Sequence, residues 1–232
     1  MKTRTLKPLV YICAAGMLAG LALIFLWVPT DCSQLINGVC NEGTVQRIFY
    51  VHVPSAWVAY LAYTVVLISS IAYLKGRNDR WDILASSSAE VGVMFTAITL
   101  VSGMMWGKAI WGTYWRWDPR LTLTFILFLV YVGYLAFRAM ASDPGRAAPV
   151  SAVIGIVGFA AVPLVHFSVV WFRSQHPAPV VVNPQGAPQL PASMLITLMF
   201  MLSVFTLIYS LMLIIRVRLG RLEHRIETLE AA

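Results

Sequence analysis

Residues 192–215 read ASMLITLMFMLSVFTLIYSLMLII and contain no charged side chain. A helix needs about 20 consecutive apolar residues to cross the hydrocarbon core of a bilayer. This stretch is therefore long enough to span a membrane. A transmembrane barrel would instead show segments of about ten residues with alternating polarity. The stretch does not alternate, so it predicts a transmembrane helix.

Five similar runs precede this stretch. The six runs cover roughly residues 8–28, 48–74, 83–105, 121–139, 151–171 and 192–215. Each approaches or exceeds the length of about 17–25 residues that a tilted spanning helix needs. We therefore predict an all-α, polytopic integral membrane protein with six transmembrane helices, forming a single membrane domain over residues 1–232.

The composition excludes water-soluble classes of protein. Apolar residues make up 59% of the chain and charged residues 12%, whereas soluble domains average about 45–50% and about 25%. The net charge of +7 indicates membrane orientation and attraction to anionic lipid. With no soluble domain to carry a basic surface, we expect membrane lipid as a partner and no nucleic acid.

Lysine and arginine are divided unequally between the two sides of the predicted spans. Twelve lie in the termini and in the second and fourth loops, and five lie in the other three loops. Cytoplasmic loops of membrane proteins carry the excess of these residues, so we expect both termini to be cytoplasmic. The five on the outer side are Arg47, Lys108, Arg116, Arg120 and Arg173.

The third loop, residues 106–120, is the most unusual part of the chain. It reads WGKAIWGTYWRWDPR and holds four of the eight tryptophans. One or two tryptophans at a helix end are ordinary interfacial anchors, but this loop has more than anchoring requires. We predict a flat, rigid aromatic platform for a large planar ligand. Its candidate residues are Trp106, Trp111, Gly112, Tyr114, Trp115 and Trp117.

Two histidines flank this platform at one depth. His52 lies at the outer end of the second span, and His176 lies in the fifth loop. A single histidine near a membrane interface is commonly a hydrogen-bonded structural group, but this pair favours metal ligation. Two imidazoles complete the six-coordination of haem iron. His166 lies deeper, and we expect it to be a core residue bonded across helices rather than a group that orients a ligand.

The outer arginines suit the two propionates of a porphyrin. Guanidinium pairs bidentately with carboxylates, and Arg47 and Arg120 are the first candidates, followed by Arg116 and Arg173. Each arginine has the alternative of extending to lipid phosphate. Asp118 is the only acid in the loop. It fixes a tryptophan indole by accepting its hydrogen bond, pairs with Arg116 or Arg120, contacts the ligand, or caps the fourth helix just before Pro119.

Three other features leave alternatives open. Glu90 lies inside the third span, where a charge costs about 2.5–3.5 kcal/mol on the insertion scale, so it joins helices or lines an entry route. The tail, residues 216–232, predicts an amphipathic helix that lies on the membrane, continues the sixth span or binds a partner. Cys32 and Cys40 in the first loop are compatible with a disulfide, but spacing does not decide it.

Three stretches resemble a known family. Residues 111–122 resemble the tryptophan-rich WWD signature of haem-handling membrane proteins, with Tyr114 where tryptophan is usual and Pro119 where alanine is common. The six spans, together with the stretches 47–54 and 166–176, resemble the CcmC family of cytochrome c maturation. The resemblance extends from about residue 47 to residue 176.

This resemblance implies a function. CcmC proteins hold haem b at the periplasmic face of the inner membrane between two axial histidines, which correspond to His52 and His176. The WWD loop, including Asp118, supports the macrocycle. Haem is then attached covalently to the chaperone CcmE, with CcmD assisting and the ABC-type pair CcmA and CcmB releasing the loaded chaperone. The resemblance thus implies a haem-handling protein with a possible haem-transferase role beside the chaperone.

The sequence lacks the Gly-rich Lys-Ser/Thr loop of an ATPase, so we expect ATP to be hydrolysed by a partner. The alternative function is a permease subunit of an ABC-type exporter that moves haem across the bilayer. A permease needs polar residues or broken helices inside the membrane, and Glu90, His166 and Pro163 are the candidates.

Overall fold

The computed structural model describes residues 6–30, 35–36, 39–40, 42–141, 144–176 and 190–230. The helices are α1 (Leu6–Ala22), α2 (Phe49–Gly76), α3 (Asp79–Trp111), α4 (Pro119–Met140), α5 (Pro144–Phe159), α6 (Ala161–Trp171) and α7 (Ala192–Glu230). A π-helical turn, Leu23–Trp27, follows α1, and a 3₁₀ turn, Thr44–Ile48, precedes α2. Two short strands, β1 (Leu35–Ile36) and β2 (Val39–Cys40), pair antiparallel.

The predicted membrane fold is confirmed. Within the described ranges, six helical segments are long and apolar enough to cross a bilayer. They are Leu6–Trp27, Thr44–Gly76, Asp79–Trp111, Pro119–Met140, Gly145–Trp171 and Ala192–Ile226. Each segment contains most or all of one predicted run, because runs of this length and apolarity are stable only as spanning helices in lipid.

Helix α2 lies at the centre of the bundle, in contact with α3, α5 and α7, while α1 packs on α7 at the edge. Buried tyrosines join the central helices. The rings of Tyr63 and Tyr131 stack with centroids 3.8 Å apart. Their hydroxyls bond Thr96 at 2.8 Å and the carbonyl oxygen of Gly155 at 3.1 Å. These bonds matter because an unsatisfied polar group inside a bilayer is costly.

The fifth span is broken into α5 and α6 at Ala160. Pro163, three residues later, explains the break. A proline ring lacks the backbone donor and clashes with the carbonyl four residues earlier, which here belongs to Phe159. The sequence predicted one continuous run over residues 151–171, so the break is a detail that the apolar pattern does not contain.

Two ion pairs hold the bundle together where α2 connects to α3, which we call the α2–α3 end. Arg138 on α4 donates to both oxygens of Asp82 on α3, at 2.6 and 2.7 Å. Arg216 on α7 donates to Glu90 on α3 at 2.7 Å. Glu90 therefore joins helices, which supports that alternative rather than an entry route.

Helix α7 continues through the predicted tail without interruption as far as Glu230. Gly220 packs against α3 so closely that an added Cβ would lie 3.0 Å from Ile83. Of the three alternatives for the tail, continuation of the sixth span is therefore the observed one for the described residues. Leu222 and Leu229 on this extension are exposed.

Two loop predictions have different outcomes. The predicted outer loop over residues 106–120 is shorter than expected, because α3 extends through Trp111 and α4 begins at Pro119. The predicted third span ended too early, at residue 105, because Gly107 and Lys108 interrupt the run of apolar residues. Cys32 and the side chain of Cys40 lie outside the described residues, so their disulfide stays a prediction.

Candidate functional site

His52 is held in the first turn of α2 by a contact with α3. Its Nδ1 lies 3.1 Å from the hydroxyl of Ser102. That hydroxyl donates its own proton to the carbonyl of Ile98 at 2.7 Å. Nδ1 is therefore the donor in this contact, and the neutral ring carries its lone pair on Nε2. In this state Nε2 is the ring nitrogen of His52 that could bind a metal.

The surroundings of His52 fix where the ring lies. The ring meets Trp106 edge-on, with centroids 5.9 Å apart. On the side facing α3, a Cβ added to Gly103 would lie 3.0 Å from the Cε1 atom of His52. Glycine at this position thus allows the ring to sit against the α3 backbone.

His176 lies in the segment that follows α6, and its ring faces His52. The two ring centroids are 6.4 Å apart and the planes are inclined by 34°. An imidazole nitrogen lies about 1.1 Å from its ring centroid and binds a metal at about 2.0–2.1 Å, so two rings on opposite sides of one ion have centroids about 6.3 Å apart. The observed separation therefore fits a single metal between the rings.

Asp118 ties the α3–α4 loop to the segment that carries His176. Its buried carboxylate caps α4 by accepting from the Arg120 backbone at 3.0 Å. It also accepts from the Ser174 hydroxyl at 2.8 and 3.0 Å and from the Gln175 backbone at 2.8 Å. The same Ser174 oxygen accepts from the backbone N–H of His176 at 3.1 Å. We call Asp118, Ser174 and these bonds the aspartate latch.

The capping alternative for Asp118 is thus confirmed, and the latch adds a second role. Capping requires one carboxylate oxygen. The other oxygen accepts from Ser174 and Gln175, in the segment just before His176. Ser174 is 56 residues away from Asp118 in sequence. Sequence alone does not contain this pairing.

Two of the candidate arginines reach this site. A guanidinium nitrogen of Arg120 lies 3.5 Å from Nδ1 of His176, and the group also interacts with the Tyr60 hydroxyl. Arg116 bonds the Gln175 side chain and, at 3.3 Å, the carbonyl oxygen of Trp111. Both guanidinium groups therefore lie within the loop structure that surrounds the histidine pair.

Arg47, the other first candidate, lies beside the end of the first span. Its guanidinium lies over the ring of Phe25 on the turn after α1, 5.1 Å from the centroid. Among the residues that the structure describes, Arg120 contacts the histidine pair and Arg47 does not. Arg173, a later candidate, is exposed.

The tryptophans do not form one flat platform, which corrects that expectation. Trp106 and Trp111 lie on α3, and Trp106 acts as a wall beside His52. Trp115 and Trp117 meet edge-on, with centroids 5.7 Å apart and planes at 84°. Edge-to-face packing is a favoured geometry for aromatic pairs. The exposed part of the aromatic surface is formed by Tyr114 and Trp117, at 57% and 79% exposure.

Gly112 ends α3 and turns the chain towards these residues. Its φ of 75° lies in the left-handed region, which suits glycine at a helix end. The Lys108 ammonium donates to the Gly112 carbonyl at 2.9 Å and lies 5.4 Å from the centroid of the Tyr114 ring. Gly112 and Lys108 therefore set the position of Tyr114.

The expectation that His166 is a core residue is wrong. Its side chain is exposed on the surface of α6, with its ring 6.4 Å from that of Tyr60 and 5.1 Å from that of Phe167. Successive positions on a helix point in different directions, and the apolar residues on every side of α6 gave no indication of which face is buried.

Sequence reasoning missed the residues that hold the histidines. Ser174 and Gln175 immediately precede His176, and that proximity was an available signal. Ser102, Gly103 and Tyr60 had no such signal, because their roles depend on how α2, α3 and α4 pack.

Together, the fold and the site define a class: multi-pass helical membrane proteins with a histidine pair beside a tryptophan-rich loop. The profile of the family described as "Heme exporter protein C" (CcmC) matches residues 1–232. The chain belongs to the CcmC family.

Individual relatives agree with this assignment. "Heme exporter protein C" of Bradyrhizobium diazoefficiens is 36% identical over 213 residues, covering 92% of this chain and 81% of that protein. A "Putative cytochrome c biosynthesis ccmC-like mitochondrial protein" of Marchantia polymorpha is 31% identical over 218 residues, covering 92% of each chain. "Heme exporter protein C" of Escherichia coli K12 is 35% identical over 139 residues, covering 59% of this chain and 56% of that protein.

Proposed function

We propose that this protein binds haem b in cytochrome c maturation, with the iron between His52 and His176, at the periplasmic face of the inner membrane. The observation that carries this proposal is the 6.4 Å separation of the two imidazole centroids, which matches two rings on one iron. The donor state of His52, set by Ser102, supports it, since a neutral imidazole with a lone pair on Nε2 is a haem ligand.

Arg120 has a part in loading. A guanidinium only donates, so the contact with Arg120 makes Nδ1 of His176 the acceptor and places the ring proton on Nε2. If Nε2 of His176 held the iron, the ring proton would be carried on Nδ1 instead, and the contact with Arg120 would end. The guanidinium of Arg120 would then be free to pair with a haem propionate, as Arg116 could from the same loop.

The rest of the site positions the cargo. Trp106 walls the iron site, and the exposed Tyr114 and Trp117 cover the macrocycle from the loop. We propose that one haem edge stays open to the chaperone CcmE, to which haem becomes covalently attached. The bond-forming chemistry belongs to haem and the acceptor, so this chain is a haem-handling protein with a transferase role only beside its partner. CcmD assists, and CcmA and CcmB supply ATP hydrolysis.

The test is the spectrum of the purified protein with bound haem. We expect His52→Ala and His176→Ala each to abolish the six-coordinate low-spin spectrum, because one axial ligand is lost. His224→Ala, at the other end of the bundle, is the matched control and should leave the spectrum unchanged. Retention of the six-coordinate spectrum in both ligand variants would contradict the axial assignment.

The alternative, a permease that moves haem through the bilayer, has one observation in its favour. The fifth span is broken at Ala160, and broken helices are typical of transporters. Vesicles containing this protein and internal haem separate the two functions. Export of haem without the chaperone supports the permease, whereas release only to added chaperone supports haem presentation.

A further inference from the structure

A cleft of about 310 Å³ lies at the α2–α3 end of the bundle, far from the histidine pair. It is formed between the first turns of α3 and the extension of α7. Six residues line it: Asn78, Arg80, Trp81, Leu84, Val217 and Arg221. The cleft has no part in the site described above.

The lining is polar at the rim and apolar below. Helix α3 runs into the bilayer from this end, so Leu84 lies one turn deeper than Arg80. Helix α7 runs the other way, so Val217 lies one turn deeper than Arg221. Both walls therefore carry a guanidinium above an aliphatic side chain. Trp81, at 39% exposure, is the kind of residue that lies at headgroup level.

Three carboxylates near the cleft are engaged with other bases. Asp79 pairs with His224, whose Nε2 lies 3.6 Å away. Asp82 pairs with Arg138, and Glu90 pairs with Arg216.

Neither cleft arginine takes part in these pairs. In the part of the chain that the structure describes, Arg80 and Arg221 form no ion pair, and both are exposed. The cleft thus presents two guanidinium groups without a carboxylate partner, and these groups are suited to bidentate binding of a phosphate.

We infer that this cleft binds an anionic glycerophospholipid, with its phosphate between Arg80 and Arg221 and an acyl chain along Leu84 and Val217. A free phosphate ion also carries negative charge, but it has no acyl chain to pack against Leu84 and Val217. A zwitterionic lipid carries its own cation, which weakens its pairing with two guanidinium groups. A lipid bound there would join α7 to α3 and stabilise the extension of α7.

The first experiment measures thermal unfolding of the full chain, purified in detergent and stripped of lipid. A ligand that binds only the folded state raises the unfolding temperature. We expect phosphatidylglycerol to raise it, and phosphatidylcholine or inorganic phosphate to have little effect. The variant Arg80→Ala/Arg221→Ala should weaken the apparent affinity for phosphatidylglycerol about 30-fold, because the charge-assisted hydrogen bonds of both guanidinium groups to the phosphate are lost.

The matched control is Lys75→Ala/Arg225→Ala, which removes the same charge from the same end but outside the cleft lining. It should retain the response to phosphatidylglycerol. Equal loss in both double variants would overturn the cleft assignment in favour of general surface charge. An equal response to inorganic phosphate would overturn the lipid in favour of a free anion.

A second measurement locates the acyl chain without depending on the arginine variants. Phosphatidylglycerol with brominated acyl chains quenches nearby tryptophans. Replacing Trp81 with phenylalanine should remove the component of quenching that saturates at low lipid. Unchanged quenching in Trp81→Phe would place the lipid elsewhere and contradict the inference. Neither experiment depends on haem, so the proposed function and this inference fail separately.

Discussion

Gly103 is the residue at which α3 comes closest to His52. A Cβ there would lie 3.0 Å from Cε1 of His52, which is tighter than ordinary packing. The ring cannot move away freely, because Trp106 lies edge-on to it and Ser102 accepts its Nδ1 proton. The position of the His52 ring therefore depends on the absence of a single methyl group.

We predict that Gly103→Ala weakens haem binding about tenfold. Changing a group that orients a metal ligand lowers metal affinity about 10- to 100-fold, and we expect the lower end of that range. Titration of the purified protein with haem measures this. Gly133→Ala is the control, since a Cβ at that exposed position of α4 meets nothing within 4 Å. Equal affinities for Gly103→Ala and the unmodified protein would show that His52 tolerates displacement.

At the scale of elements, the aspartate latch joins the start of α4 to the segment after α6. Asp118 has two oxygens with separate uses, one for the helix cap and one for the backbone of Gln175. Helix capping is local, whereas the bond to Gln175 holds the segment that carries His176. The two uses can be separated by substitution.

We predict that Asp118→Asn leaves the bundle folded but weakens ligation by His176. Asparagine is as favourable a helix cap as aspartate, so its single carbonyl oxygen keeps the cap and its amide nitrogen replaces the oxygen that accepts from Gln175. The haem spectrum should shift towards a five-coordinate form while the unfolding temperature changes little. A lowered unfolding temperature with an unchanged spectrum would show that Asp118 is only a structural cap.

The elements were predicted far better than the contacts between them. Six apolar runs predicted six spans because length and apolarity suffice for a helix in lipid. The histidine pair and Arg120 were predicted from residue type, since few groups bind iron or propionates. Ser102 and Ser174 were not, because serine is common and its role depends on tertiary packing. The flat platform was wrong for the same reason, since ring orientation is not a property of composition.

At the scale of the whole molecule, the charge distribution predicts how the bundle lies in the membrane. The α2–α3 end holds Lys75, Arg77 and Arg80, together with the arginines of the α7 extension. The excess of basic residues on the cytoplasmic side therefore predicts that the histidine pair faces the other side.

Reporter fusions test this orientation. A reporter active only outside the cytoplasm should be active when fused after Trp117 and inactive when fused after Gly76 or after the C-terminal residue. The fusion after Gly76 is the internal control, because it follows the second span at the opposite end. Activity after the C-terminal residue would reverse the expected topology and place the iron site on the cytoplasmic side.

The 39-residue length of α7 has a mechanical consequence. At a rise of 1.5 Å per residue, the helix is a rod of about 58 Å. If it pivots near its middle, a tilt of about 5° swings its two tips in opposite directions by about 2–3 Å. A displacement of the exposed tail would thus be accompanied by an opposite displacement of the other end of α7, across the bilayer.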